Sequence, residues 1–593
     1  MNQRPHQLTL QHGMVSQLVQ RWCSYALLGA MLLSMIGCSD SNPTTQANLP
    51  EDSQSSLENG KSASTFRFHE IEDGLTDAAF RDGSEQEQFS LIETTGGGCA
   101  LLDYDRDGQL DIVHAGGGIP DLQQQKLDGF RGNLHRQFGR WQFVTCGARA
   151  RIDFSQTYNA AIIAADYNND GFTDLLVTGF DALQCFRNQG DGTFEQVRII
   201  DDRMWSSSAA FFDADQDGDL DLYVVHYADW SWTNNPYCPS QTDRNQRDYC
   251  GPTDFRGLPD RVYENLGDGS FAERTPEGLG DEALRGLGVI AADLDGDRDT
   301  DLYVTNDVEP NLLFRNDGPF RWTELGRRAS VATNDQGRAE GSMGIAIGDY
   351  NNDQKFDVWV TNYADEYNAL YRGMGRMSFS YASNAARIPV TDERSVGWGT
   401  RLADFDLDGD EDIVVINGHL ERYSSYHDQR PQLLENIDGK YFVLSALDSK
   451  FFQTPQPGRG LASGDLDRDG LIDLVVTRIN ANCSLVRNES RGRGAYLSVR
   501  LVGTQSNRDA IGTALTLKVG KRTWIRQIAG GGSYASTNDL AVHFGIPAEE
   551  ADAWKYAAPQ PSIASLRVDW PSGKTTEVSV PKFDTEILIV EGE

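Results

Sequence analysis

Long apolar runs are scarce in this 593-residue chain. The one that stands out, "YALLGAMLLSMIGC", follows Arg4 and Arg21 and ends at Gly37-Cys38. It holds about a dozen apolar residues where roughly 20 are needed to span a bilayer, so it suits the core of a signal peptide and not a membrane helix. Cysteine is sparse too: eight, at 23, 38, 99, 146, 185, 238, 250 and 483, with no C-x-x-C pair and no zinc-type spacing. Lysine and arginine form no cluster, and 53 of them against 88 acids leave a formal charge of −35, which argues against nucleic acid. Catalytic signatures are missing as well. There is no G-x-S-x-G elbow; His69-Glu70 is followed by Asp73 where H-E-x-x-H requires histidine; and "SGKT" at Ser572 lacks the Walker glycine, since Val568 stands there. His419 in "NGH" is the best single catalytic candidate and reads more simply as a structural histidine.

What the chain has in abundance is aspartate at fixed spacing. "DYDRDGQLDIV" begins a pattern D-x-[DN]-x-D-G-x-x-D that recurs seven times. Positions one, three, five and nine are Asp103, Asp105, Asp107 and Asp111; Asp166, Asn168, Asp170 and Asp174; Asp213, Asp215, Asp217 and Asp221; and Asp293, Asp295, Asp297 and Asp301. The last three copies are Asp349, Asn351, Asp353 and Asp357; Asp404, Asp406, Asp408 and Asp412; and Asp465, Asp467, Asp469 and Asp473. Alternate side chains of a tight loop converge on one point, which is the donor set of a hard cation; many carboxylates on a flexible loop favour Ca²⁺ over Mg²⁺. Glycine at position six supplies the positive φ of the turn, and Arg298 and Gln354 replace it in the fourth and fifth copies, the weakest of the set. The expectation is five to seven Ca²⁺.

An EF-hand loop opens the same way but needs Glu at position twelve, where this chain has His114, Val177, Val224, Val304, Val360, Val415 and Val476. Position nine instead leads into β-branched runs such as Ile413-Val414-Val415, so each unit reads strand, metal loop, strand. A second signature, as in "FRNQGDGTF" from Phe186 and "VYENLGDGSF" from Val262, describes another hairpin in the same unit. Two hairpins make one four-stranded blade. The fold class expected is all-β: a seven-bladed β-propeller with Ca-binding hairpin loops, followed by a small all-β C-terminal domain.

Ile36-Gly37-Cys38 resembles a bacterial lipobox, with Cys38 as the lipid-bearing residue. Residues 1–37 then form the leader, 38–65 a polar tether, 66–490 the propeller and 491–593 the C-terminal domain. The address implied is the bacterial cell envelope, with the membrane reached through the lipid anchor only. In an exported protein Cys238 and Cys250, inside the insertion "HYADWSWTNNPYCPSQTDRNQRDYCGP", are placed to pair. Tyr227, Trp230, Trp232 and Tyr237 in that insertion are candidate ligand contacts, or else rings that seal a gap between blades.

The acidic loops and their lead-ins, such as "GLGVIAADLDGDRDTDLYV", resemble FG-GAP/VCBS repeats, the blade type of integrin α-subunit propellers. "NGHL", "YCGP" and "GRGLASGDLDRDG" resemble bacterial relatives of cartilage acidic protein, in which an ASPIC/UnbV domain follows the propeller. The matching C-terminal stretches are "LVGTQSNRDAIGTALTLKVG", "RQIAGGGSYASTNDLAVHFG" and "LRVDWPSGKTTEV". The resemblance implies calcium at the matching loop positions. "GGGSYAS" reads as a glycine turn of that domain or as a ligand loop. The function expected is a lipid-anchored, calcium-stabilised binding or adhesion protein for a protein or glycan ligand. A calcium-dependent extracytoplasmic hydrolase of glycans or phosphoesters, or a scaffold for an envelope complex, stands as the alternative.

Overall fold

The computed structural model describes residues 66–592 except 73, 241–242, 277–278, 280–282, 389–393, 446, 491–493 and 557–563. The leader, the tether and Cys38 lie outside the described residues.

Among the described residues, seven antiparallel sheets share one four-strand plan, the fourth carrying Gly530–Gly531 as a fifth strand. In the first sheet Cys99–Leu102, Asp111–His114, Asn133–Gly139 and Gln142–Thr145 are neighbours in sequence order. The next five sheets begin on Tyr158–Ala165, Ser206–Phe212, Gly286–Ala292, Ile345–Gly348 and Gly397–Ala403, and the seventh on Gly458–Gly464. The seventh takes its outer strand from the far end of the chain: Phe68–Glu70 pairs with Ala481–Asn488, Phe68 opposite Asn488. First strands of successive sheets touch around a circle, and Cys99–Leu102 meets both Tyr158–Ala165 and Gly458–Gly464. A ring of this kind protects the inner sheet edges.

The inner strands read as unbroken apolar runs because both their faces are covered. Ala210, Phe212, Tyr223 and Val225 of the third sheet pack on Val289, Ala291, Leu302 and Val304 of the fourth. Each such Val or Leu contributes about 1.5–3 kcal/mol on burial.

The second hairpins supply a staple that sequence reading missed. The Asn188 side-chain amide donates to the Tyr104 carbonyl of the preceding metal loop (2.9 Å), and Asn265, Asn316, Asn436 and Asn488 do the same to Tyr167, Ala214, Tyr350 and Phe405. In the first sheet Gln137 takes this part and reaches Leu466 of the seventh loop (3.0 Å), closing the circle. The signal was present as the asparagine of "FRN", "YEN" and "LEN".

The C-terminal residues form two sheets. Val542–Ile546, Ala495–Val502 and Thr585–Val590 make one; Arg522–Gln527, Ala514–Val519, Ala564–Asp569 and Thr575–Ser579 make the other. These fit the small all-β domain expected there, and a short helix, Ala548–Tyr556, is added. The segment 529–540 between them is no simple turn of that domain. It threads the centre of the ring and touches the first strand of every sheet. Gly532 donates to Val289 (2.9 Å) and Ser533 to Ile345 (2.6 Å); Ile162 donates to Ala535 (3.1 Å) and Thr537 to Cys99 (2.9 Å). Ser533 Oγ accepts the Thr400 N–H and donates to the Leu461 carbonyl, while Gly530 lies against Phe211. The described residues accordingly fall in one compact unit.

Candidate metal centres and the ligand face

Each metal loop joins the first and second strands of its sheet, so all seven emerge at one end of the ring. Position one organises the turn: Asp103 accepts the Asp107 and Gly108 amides (3.0 and 2.8 Å), and Asp166, Asp404 and Asp465 accept the equivalent pairs. Position six has φ near +90° where it is glycine, as at Gly171 (91°). Arg298 (80°) and Gln354 (65°) adopt the same region, so the fourth and fifth loops keep the turn despite losing glycine.

Position nine does more than face a cation. Asp221 accepts the Ala214 amide of its own loop (2.8 Å) and the Asn265 amide of the third strand (2.8 Å), and Asp111, Asp301, Asp357, Asp412 and Asp473 repeat this double acceptance. It thus couples the loop to the second hairpin.

Carboxylate oxygens of Asp103, Asp105 and Asp111 lie within 4.8 Å of one another, as do those of Asp213, Asp215 and Asp217, of Asp293, Asp295 and Asp297, and of Asp404, Asp406 and Asp412. Burial, and after it the neighbouring carboxylates, push Asp111, Asp174, Asp221 and Asp357 up to about 8. Carboxyls so placed hold a proton or share a cation. The donor set fits a cation on a further count: Asp105 Oδ1, Asp174 Oδ2, Asp213 Oδ1, Asp353 Oδ1 and Asp467 Oδ1 are buried and have no hydrogen-bond partner. Such oxygens are costly unless something electropositive meets them.

Protein cations reach some loops. Arg136 pairs with Asp105 and Asp107, Arg372 with Asp353 (2.8 Å), and Arg140 and Arg487 both with Asp467 (2.9 and 2.8 Å). Others are covered by the C-terminal domain. Asp166 donates its amide to Asp509 (2.7 Å), Trp524 donates to Gly409 (2.8 Å), and Arg526 pairs with Glu411 (3.1 Å). Arg298, the odd residue at position six, pairs with Asp569 (2.8 Å) and donates to Gly573 (2.6 Å).

Strands of six or seven residues, at about 3.3 Å per residue, carry the chain some 20 Å to the opposite end. There the 226–252 insertion lies, with Cys238 and Cys250 bridged. Its aromatics divide. Trp230 is 3 % exposed and packs with Trp232 (5.3 Å) against Phe180 of the second sheet (5.1 Å). Of the two readings, buried Trp230 fits the seal between adjoining sheets, and Trp232, half-buried, packs on the same Phe180 ring (6.0 Å). Tyr227 is buried, with its hydroxyl donating to Asp307 (2.6 Å), while Tyr237 is 61 % exposed. His419 is a structural residue, Nδ1 accepting the Glu421 amide (3.1 Å), and burial, then Arg459 and His427, lower it to about 4.

Comparison with known proteins agrees with this architecture. The family described as "FG-GAP-like repeat" matches residues 166–224, 250–304, 293–360 and 349–415, and "ASPIC and UnbV" matches 503–593. Cartilage acidic protein 1 of Xenopus tropicalis is 23 % identical over 525 residues, covering 83 % of this chain and 73 % of that protein. The Mus musculus protein of the same name is 24 % identical over 512 residues, covering 82 % and 71 %. A solved structure of an Agrocybe aegerita protein recognising non-reducing terminal N-acetylglucosamine aligns with 60 % of this chain and 82 % of its own, at 15 % identity and a TM-score of 0.37.

Proposed function

We propose that this chain, which carries FG-GAP-like repeats and an ASPIC/UnbV domain, is a lipid-anchored, calcium-stabilised binding protein of the bacterial cell envelope. The observation that carries the reading is the set of buried, partnerless carboxylate oxygens repeated in five of the metal loops. Ca²⁺ would be held by positions one, three, five and nine, with position nine also bridging loop and second hairpin, and would neutralise charge that otherwise repels. The loops lie on the face that the C-terminal domain covers, so calcium stabilises that covered end and leaves the opposite end to meet a ligand. Cys38 would hold the lipid, and the polar stretch 38–65 would carry the ring away from the membrane.

The test is a protein and glycan array probed with the chain in millimolar Ca²⁺ and again after chelation. The reading expects attachment to a defined subset of spots that chelation abolishes. Attachment to none, with calcium demonstrably bound, would refute it.

A further inference from the structure

The end of the ring opposite the metal loops is hollow. A cavity of about 340 Å³ opens there, lined by residues from five parts of the ring. Leu287, Met343 and Trp398 give it an apolar surface, and the Trp398 ring meets Tyr534 of the central segment edge to face (4.7 Å). Tyr534 in turn accepts the Gly96 amide (3.1 Å), so the threaded segment stops the channel behind the cavity. Tyr227, Tyr249 and Tyr363 add aromatic surface. Two of these rings are fixed, Tyr227 by its hydrogen bond to Asp307 of the same lining and Tyr249 by one from its hydroxyl to the buried Glu93 (3.0 Å). Cys250, bridged to Cys238, belongs to the same lining, so the insertion forms a held wall.

Four carboxylates line this space: Asp248, Asp307, Glu366 and Glu421. No lysine, arginine or histidine does so among the described residues. Arg285 and Arg459 stand outside the lining, Arg285 paired with Glu309 (2.9 Å) and Arg459 over the Trp398 ring. Thr95, 5 % exposed, also lines the cavity, and its hydroxyl has no hydrogen-bond partner.

We propose that this cavity binds the cationic end of a basic side chain, an ammonium or guanidinium presented by a protein segment. Asp307 is already met by the Tyr227 hydroxyl and faces Arg285, and Glu366 accepts the Gly341 amide (2.7 Å), which leaves Asp248 and Glu421 as the carboxylates for an entering cation. Burying such groups without a counter-charge is costly, and a cation recovers that cost. The negative faces of the tyrosine rings attract the same group, the Trp398 face being taken by Arg459. The volume is at the small end of ordinary ligand pockets, enough for one long side chain and the backbone beside it. An uncharged sugar would stack on the rings and leave the carboxylates uncompensated. The inference rests on the reading of the chain as a binding protein and assigns that binding a place and a chemistry.

Isothermal titration of the full chain in Ca²⁺ tests it, with a capped Gly-Ser-Arg-Ser-Gly peptide, its lysine and citrulline counterparts, spermidine, and lactose. The arginine or lysine peptide should bind, and the citrulline form roughly tenfold more weakly. Glu421→Gln and Asp248→Asn should each weaken the cationic peptide about fivefold. Glu421 is the more exposed of the two, so its variant keeps the test sound if Asp248→Asn disturbs the fold. Equal binding of arginine and citrulline peptides would overturn the proposal, as would binding of lactose alone. Spermidine binding with neither peptide binding would overturn the protein-segment source. If Glu421→Gln leaves array attachment untouched, the cavity assignment fails while the binding reading stands; if the unaltered chain attaches to nothing, the broader reading fails.

Discussion

Asp467 has a fully covered side chain that receives Arg140, Arg487 and the Trp141 indole N–H (2.7 Å) at one oxygen. Asn351 holds the same place in the fifth loop, where it accepts the Asp353 amide (3.0 Å). Asp467→Ala should therefore cost about 2 kcal/mol by removing a covered, charge-assisted acceptor, with Arg140 and Arg487 keeping Asp469, and Asn351→Ala about 1 kcal/mol, both read by urea unfolding in excess Ca²⁺. A second prediction concerns Glu93, which burial pushes from 4.5 to about 7 against the hydrogen bonds from Ser90 and Tyr249. Below pH 4.5 the group is protonated in both folded and unfolded chains. Between 4.5 and 7 the unfolded chain ionises first, so the fold loses up to about 3 kcal/mol as pH rises. Glu93→Gln removes this loss: its melting temperature should match the parent near pH 4.5 and exceed it above pH 7. An equal difference at both pH values would contradict the account.

At the scale of elements, the inner hairpins were legible from the sequence because their constraint is local: aspartates at fixed spacing, then a β-branched run. The segment 529–540 was not. "GGGSYAS" has the composition of a surface turn, and nothing within it says that its glycines meet strands more than 200 residues away in sequence. The structure supplies the reason for them. A Cβ on Gly530 would lie 2.1 Å from the Phe211 carbonyl, and one on Gly531, whose φ is +73°, 2.5 Å from that of Val289. Gly530→Val should force the segment from the channel, lower the melting temperature by several degrees and let a protease separate the C-terminal domain. Resistance to proteolysis equal to the parent would contradict the threaded arrangement. For Trp230 and Trp232 the sequence left ligand contact and seal both open for a related reason. Interleaved polar residues mark a surface loop, but the covering ring, Phe180, belongs to another sheet.

For the molecule as a whole, two features act together: an acidic chain of net charge −35, and a ring whose loop end is covered by its own C-terminal domain. The lipid assignment predicts that the mature chain begins at a modified Cys38 and that Cys38→Ala releases it from membranes or leaves the precursor uncut. A free, unmodified N-terminus elsewhere, seen by mass spectrometry, would refute that. Calcium is the more central claim, because the loops couple both hairpins of each sheet and several of them meet the C-terminal domain. Anything that binds only the folded chain raises its stability. The most direct measurement is the calcium content of the full chain by elemental analysis after dialysis in millimolar Ca²⁺, with its melting temperature before and after chelation. The account predicts five to seven ions per molecule and a lower melting temperature without them; two ions or fewer, or a melting temperature indifferent to chelation, would contradict it.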